Sequence, residues 1–255
     1  LNTVHQFSYL GCTISSDAKL DKEINNRLAK AYSAFGRLYK RVWNNRHLKQ
    51  STKISVFHAI VLTSLLYGSQ SWVFYRHHLR LLERFQQRCL HTIMNIHWSN
   101  YITNVEVLER AEVPSIEALL LKSQLRWAGH VSRMEDHRLP KIVLYGELAT
   151  GHRDRGAPKK RYKDNLKKNL SACHIDHRQW SDLAADRSAW RTTIWKAASS
   201  FESSCRDSLK EKRQRRKACQ AAVAQVPWDS TLSCDRCGRP CLSWIGLISH
   251  QHACN

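Results

Sequence analysis

Leu20-Asp-Lys-Glu-Ile24-Asn-Asn-Arg-Leu28-Ala-Lys-Ala31-Tyr-Ser-Ala-Phe35-Gly-Arg-Leu38-Tyr-Lys-Arg-Val42 is the stretch that decides the fold. Its apolar positions Leu20, Ile24, Leu28, Ala31, Phe35, Leu38 and Val42 advance in steps of four and three, the period of one face of an α-helix. A strand would need alternation, which is absent. Ser16 or Asp17 can cap this helix, and Lys30, Arg37 and Arg41 lie off the apolar face, available to phosphates or to water. One face is committed to packing, so neighbouring helices must supply partners.

The same period recurs downstream. From Ser51 a helix uses Ile54, Phe57, Val61 and Leu65 and stops near Tyr67-Gly68; His58 on it reads as a satisfied core histidine. A third helix, about 77 to 94, buries Leu79, Leu82, Phe85, Cys89 and Ile93. Opposite them Arg76, Arg80, Arg84 and Arg88 recur every four residues and stack into a ridge suited to phosphates; the alternative is a solvated face partly offset by Glu83. Thr103-Asn-Val-Glu106 is a capping box. Pro114-Ser115 opens a helix through Ile116, Leu119, Leu120, Trp127, Val131 and Met134 that stops before Pro140. Gly129 beside Trp127 implies close approach of another element, and Arg126, His130 and Arg133 fan out from the same turns. Trp180, Leu183, Trp190 and Ile194 share one face of a later segment, as core rather than as stacking platforms.

Upstream of the first helix, Phe7-Ser-Tyr-Leu-Gly-Cys-Thr-Ile14 is rich in aromatic and β-branched types around Gly11, which predicts a short strand or hairpin. Leu at position 1 just before it suggests a piece of something longer. The expected fold is mainly α, a helical body with a short N-terminal β element and a C-terminal ββα-type zinc finger.

The finger lies at Cys234-Asp-Arg-Cys237 through His250-Gln-His-Ala-Cys254. A CxxC pair on a turn helped by Gly238, then His250 and Cys254 at i, i+4, is the ligand spacing of a small zinc site. Cys241 and Leu247 stand where such a module carries its core, with Trp244 and Ile245 available to cover it; His252 or Cys241 could compete as a ligand. Four protein ligands make Zn2+ structural and leave no open position for hydrolytic chemistry.

The charge bounds the partners. With 41 Lys+Arg against 21 Asp+Glu and a net charge of +20 over 255 residues, the chain favours a polyanion, most simply nucleic acid. Gly151-His-Arg153-Asp-Arg155-Gly-Ala-Pro-Lys159-Lys160-Arg161-Tyr162-Lys163 is a basic loop able to clamp single-stranded or hybrid nucleic acid, with Tyr162 for stacking. It lacks the spacing of a nucleotide-phosphate loop, so NTP hydrolysis is not expected. Lys210-Glu-Lys-Arg-Gln-Arg-Arg-Lys217 is a dense basic run in a linker that orders on binding, or a nuclear-import signal. Of 9 cysteines, those outside the finger are scattered, which points to a reducing, intracellular setting in cytoplasm and nucleus. The longest apolar run, Ala59 to Tyr67, is too short to span a bilayer, so no membrane partner is expected.

Tyr9-Leu-Gly11 with Ser15-Ser-Asp17, Leu65-Leu-Tyr-Gly68 with Trp72, Leu125-Arg-Trp-Ala-Gly-His130 with Arg133-Met134, Arg138-Leu-Pro-Lys141, Gly156 to Asp164, Asp186-Arg187 with Trp190-Arg191, and the terminal finger occur in one order along the chain. In this the sequence resembles the C-terminal portion of an endonuclease/reverse transcriptase of a non-LTR (LINE-type) retrotransposon; Gln70, His91 and Cys241 depart from the pattern. The resemblance implies that residues 1–14 trail a polymerase palm, 15–198 form a helical thumb and following region, 199–230 a basic linker and 231–255 a C2HC-type finger. It implies RNA and DNA as partners, as template-primer and target DNA, together with the rest of the reverse transcriptase polypeptide. The palm of such an enzyme binds Mg2+ through paired aspartates, and this sequence has no adjacent Asp-Asp. A domesticated zinc-finger DNA-binding regulator and a helical protein-interaction scaffold are the rival readings.

Overall fold

In the computed structural model, residues 4–16, 19–146, 156, 159–225, 232–241 and 243–254 are described. Contacts divide the chain into two units, Leu1–Asp207 and Ser208–Asn255. The first opens with an antiparallel hairpin, β1 (Gln6–Tyr9) against β2 (Cys12–Ser15), registered Phe7 to Ile14 and turned at Leu10-Gly11, both at positive φ. Helices follow: α1 (Asp21–Arg37), α2 (Gln50–Val56), α3 (Thr63–Leu65), α4 (Arg76–Ile93), α5 (Asn104–Ala111), α6 (Ile116–Ser132), α7 (Leu139–Tyr145), α8 (Tyr162–Ala172), α9 (Trp180–Ala185) and α10 (Arg187–Gln225), the last crossing into the second unit.

The anticipated mainly α class with a short β element holds. Ile24, Ala31, Leu79, Leu82, Phe85, Cys89 and Ile93 are buried as their spacing requires. The boundaries shift for physical reasons. Ser16 does not cap α1, which starts at Asp21 with Leu20 in the cap position and no side-chain cap; Asp17 lies outside the described residues. Acidic Asp21 and Glu23 in the first turn complement the helix dipole instead. π-helical turns at Tyr39–Trp43 and Phe57–Leu62 widen the backbone, and the second keeps Phe57, Val61 and Leu62 all buried. Thr103 caps α5 by accepting from the Glu106 amide at 3.2 Å, while the Glu106 carboxylate pairs with Arg110 at 2.6 Å rather than closing the box. Pro140 does not follow a continuing helix. The chain leaves α6 at Ser132, and Pro140 sits in the first turn of α7, where its missing N–H costs nothing.

Helix α6 is the spine. Ile116 and Leu120 belong to one apolar cluster with α1 to α5, and Leu121, Leu125, Ala128 and Val131 to a second with α7 to α10. At the seam lies Gln124, buried, donating to the Trp72 carbonyl at 2.8 Å and accepting from Asn165 at 2.8 Å and Asn169 at 2.6 Å. All three amide side chains are thus satisfied, as burial demands.

The close approach expected at Gly129 is made by Trp190, whose indole N–H donates to the Leu125 carbonyl at 3.1 Å. A Cβ on residue 129 would stand 2.0 Å from Trp190 Nε1. Gly129→Ala is therefore expected to cost about 3 kcal/mol, the upper end for overpacking, read as a lowered urea midpoint. Trp180 and Trp190 are core, as spacing suggested, but they sit on two helices: Asp186 Oδ1 accepts from the Ser188 and Ala189 amides at 2.7 and 3.3 Å and caps α10. The Ser188 hydroxyl, donating to the same oxygen at 2.9 Å, and those two amides hold the Asp186 carboxyl below the usual range. Leu183, placed on that face by sequence, is exposed because α9 ends first.

The second unit holds the exposed remainder of α10, a bridge pairing Ser233 with Pro240, and α11 (Trp244–Ala253). The basic run Lys210 to Lys217 is helical and exposed, where the sequence suggested order only on binding. The linker's final residues, 226–230, lie outside the described residues. No helix among those described is long and apolar enough to cross a membrane.

Candidate metal centre and nucleic-acid interface

The C-terminal cluster is built by two short pieces of backbone. Gly238, at φ +69°, lets its amide return to the Cys234 carbonyl at 2.8 Å, closing the CxxC turn. Ser243 caps α11 by accepting from the Gly246 amide at 3.1 Å, which sets the helix that carries His250 and ends at Cys254. Ligand atoms of Cys234, Cys237, His250 and Cys254 lie within 4.8 Å of one another, with Cys237 Sγ 3.0 Å from His250 Nε2. Amides of Arg236 and Cys237 hydrogen-bond the Cys234 sulfur and pull its thiol below the ordinary range. Contact with Cys237 pushes the Cys254 thiol up to about 11.

Three sulfurs and one imidazole converging in this way suit a tetrahedral soft-to-borderline metal such as zinc. His252 is exposed and Cys241 stands outside the set. The anticipated cover is not made: Trp244 is 67% and Ile245 81% exposed. Among the described residues of this unit only Cys234 and Leu247 are buried, far too little apolar surface to hold 48 residues in one conformation. A bound metal would supply what the core lacks.

Asp21, His77 and His78 form another compact group. His78 Nδ1 accepts the Tyr75 amide at 3.2 Å, so in the neutral ring Nε2 carries the proton and donates to Asp21 Oδ1 at 3.1 Å. That nitrogen has no lone pair for a metal. The group ties α1 to α4, and the bonds from His78 and His77 hold the Asp21 carboxyl below its usual range.

The arginine ridge is real as a surface: Arg76, Arg80, Arg84 and Arg88 are all exposed along α4, while the opposite face is core. Arg76 is bound bidentately by Glu117 at 3.0 Å, and Arg88 reaches the Tyr32 hydroxyl at 3.5 Å. Burial and the nearby Glu117 push the Glu83 carboxyl up. Lys160 joins the ridge at its start, its ammonium 4.9 Å from the ring centre of Tyr75, the residue that precedes α4. Arg161 pairs with Asp164 at 3.2 Å across the first turn of α8; Lys159 is exposed and Lys163 half-buried. Arg153 and Arg155 lie outside the described residues.

Two anticipated contacts are reassigned. Tyr162 is not a stacking side chain: it starts α8, packs on the second core cluster, and burial pushes its phenol to about 12. Arg133 donates to the Ala184 carbonyl and is a wall rather than a free cation. Arg126 and Arg133 do not join the ridge but face a separate cleft, with Lys122, Arg187 and Arg191, none of whose lining residues comes from α4. His58 lines the same cleft, half-buried rather than core, and burial lowers its pKa. Arg187 and Arg191 stand at i, i+4 on a charged helix, and only the return of that helix beside α6 gives them a common object.

No protein-family model matches the chain, and no solved structure matches it. It is similar to an uncharacterised protein of Caenorhabditis elegans described as transposon-derived, 26% identical over 204 residues that cover 76% of this chain and 71% of that protein.

Proposed function

We propose that this chain is a nucleic-acid-binding portion of a transposon protein, specifically the C-terminal part of a non-LTR retrotransposon reverse transcriptase. It holds template-primer and target nucleic acid while catalysis, with its Mg2+, belongs to a palm elsewhere in the polypeptide. The observation that carries the reading is the α4 surface, where exposed guanidinium groups repeat at helical pitch on a helix whose other face is buried. Similarity to a transposon-derived protein and a charge of +20 support it. In this reading residues 1–14 adjoin the palm, the helical body acts as thumb, and the zinc-bound finger adds a second contact. The basic helix around Lys210 to Lys217 serves nuclear import or RNA binding in a protein that works in cytoplasm and nucleus.

The test is binding of the full chain to labelled RNA–DNA hybrid across a salt series. Changing Arg80 and Arg84 together to alanine is expected to leave the fold intact, since both are exposed, and to reduce the slope of log K against log salt by about 1.8, roughly 0.9 per lost phosphate contact. A wild-type chain that ignores hybrid, duplex and single strand in dilute buffer defeats the reading. Strong sequence preference would favour the regulator.

A further inference from the structure

Helix α6 and the first turns of α10 face one another across an open cleft of about 900 Å³, closed on the third side by the π-helical turn, α3 and the loop to Gln70. Lys122, Arg126 and His130 come from α6 at successive steps of four, and Arg187 and Arg191 from α10 at one step of four. Among the described residues, no Asp or Glu lines the cleft. Some cations elsewhere are ion-paired, Arg76 with Glu117, Arg110 with Glu106 and Arg206 with Glu202. The side chains of Lys122, Arg126, Arg187 and Arg191 make no hydrogen bond or ion pair among the described residues, as is true of Arg80 and Arg84 on the ridge. Like charges gathered around one concave space repel, and low-dielectric walls sharpen the field. Arg126, Arg187 and Arg191 are exposed, so solvent screens part of this repulsion, and an entering anion relieves more of it.

We propose that this cleft seats an unpaired nucleic-acid strand, its phosphates held by Arg126, Arg187, Arg191 and Lys122 and a base laid against Trp127. The inference rests on the nucleic-acid reading above and locates a contact that the α4 ridge does not make. The volume lies in the upper part of the about 300–1,000 Å³ range of small-ligand clefts, room for a nucleotide of a single strand. Trp127 packs in part on the second apolar cluster, as Tyr162 does, but unlike Tyr162 it also lines the cleft, its ring 5.5 Å from that of His130, and the part of the ring on the cleft is where a base would stack without base preference. Gln70 and Ser123 offer neutral donors and acceptors, and His58, its pKa lowered by burial, adds another without adding charge at neutral pH.

The experiment uses the full chain with a labelled 12-nucleotide RNA strand and, separately, an RNA–DNA hybrid, over a salt series. Arg126→Ala with Arg191→Ala is expected to weaken single-strand binding about tenfold or more and to lower its salt slope by about 1.4, roughly 0.7 per phosphate for single strands. Hybrid binding should stay within about twofold. The Arg80→Ala, Arg84→Ala pair should do the reverse. A 4-thiouridine strand should crosslink to α6, and Trp127→Ala should reduce that yield. Unchanged single-strand binding in the cleft variant, with the wild type binding well, overturns this proposal and leaves the general reading standing. A wild type that binds no polynucleotide overturns both. A mononucleotide that competes as well as the strand overturns the strand assignment.

Discussion

The chain purified without chelator is expected to carry a single zinc ion, and Cys234→Ser to lose it together with the packing of α11 on the CxxC turn. The reason is the poverty of that unit's interior. With only Cys234 and Leu247 buried among its described residues, Leu247 is the single buried apolar side chain that α11 contributes. Structural zinc contributes an apparent binding free energy on the order of 10–16 kcal/mol in modules of this size, and in them binding energy is folding energy. Hydrogen exchange at the amides of α11 should rise from a protected rate to that of free peptide, while the main thermal transition of the first unit stays in place. His252→Ala should leave zinc content unchanged, because that ring is exposed and outside the ligand group. A zinc-free chain whose α11 amides remain protected would contradict the metal-dependent account.

Glu23→Ala is expected to destabilise the first unit by about 3–5 kcal/mol, the usual cost of leaving one member of a buried ion pair alone. The Glu23 and Arg27 side chains are each only 5% exposed and meet at 2.6 Å. The pair is a hub rather than a simple bridge. Glu23 Oε2 accepts the Thr13 amide at 2.6 Å, and the Arg27 guanidinium donates to the Gly11 carbonyl at 2.6 Å and lies 4.7 Å from the ring centre of Tyr67. The β1–β2 hairpin has little buried apolar surface of its own, so these bonds, with those from Asn26 to the Thr13 hydroxyl at 2.8 Å and from Lys30 to the Gly11 carbonyl at 3.1 Å, fasten it to α1. Urea unfolding reads the loss. The double change Glu23→Leu with Arg27→Met should recover part of it, since the paired charges themselves gain little over apolar groups of like size. A single variant within about 1 kcal/mol of wild type would show that water reaches the pair.

Glu23 and Arg27 also show why part of the fold was illegible. At i, i+4 on an amphipathic helix they read as a solvated pair, and nothing local says that a hairpin folds back over them. Tyr162 misled in the opposite direction: among lysines and arginines it looks like a stacking residue, yet the start of α8 turns it into the core. Leu183 failed because a 3.6-residue period was carried through Asp186, which ends one face and caps the next helix. The metal ligands were legible because their spacing is a local geometric requirement. The cleft was not, because its two basic strips are more than fifty residues apart.

Sequence alone determined the helical class, the hairpin, the buried faces of α1 and α4, the Cys3His set and the basic character, since each follows from periodicity, spacing or charge within a few turns of chain. Tertiary structure alone decided that α6 lies between two apolar clusters with Gln124 at their seam, that Trp190 fills the space over Gly129, and that Arg126 shares a cleft with Arg191. Those are meetings of residues distant along the chain. They depend on how side-chain volumes and buried polar groups are satisfied together, which no local pattern encodes.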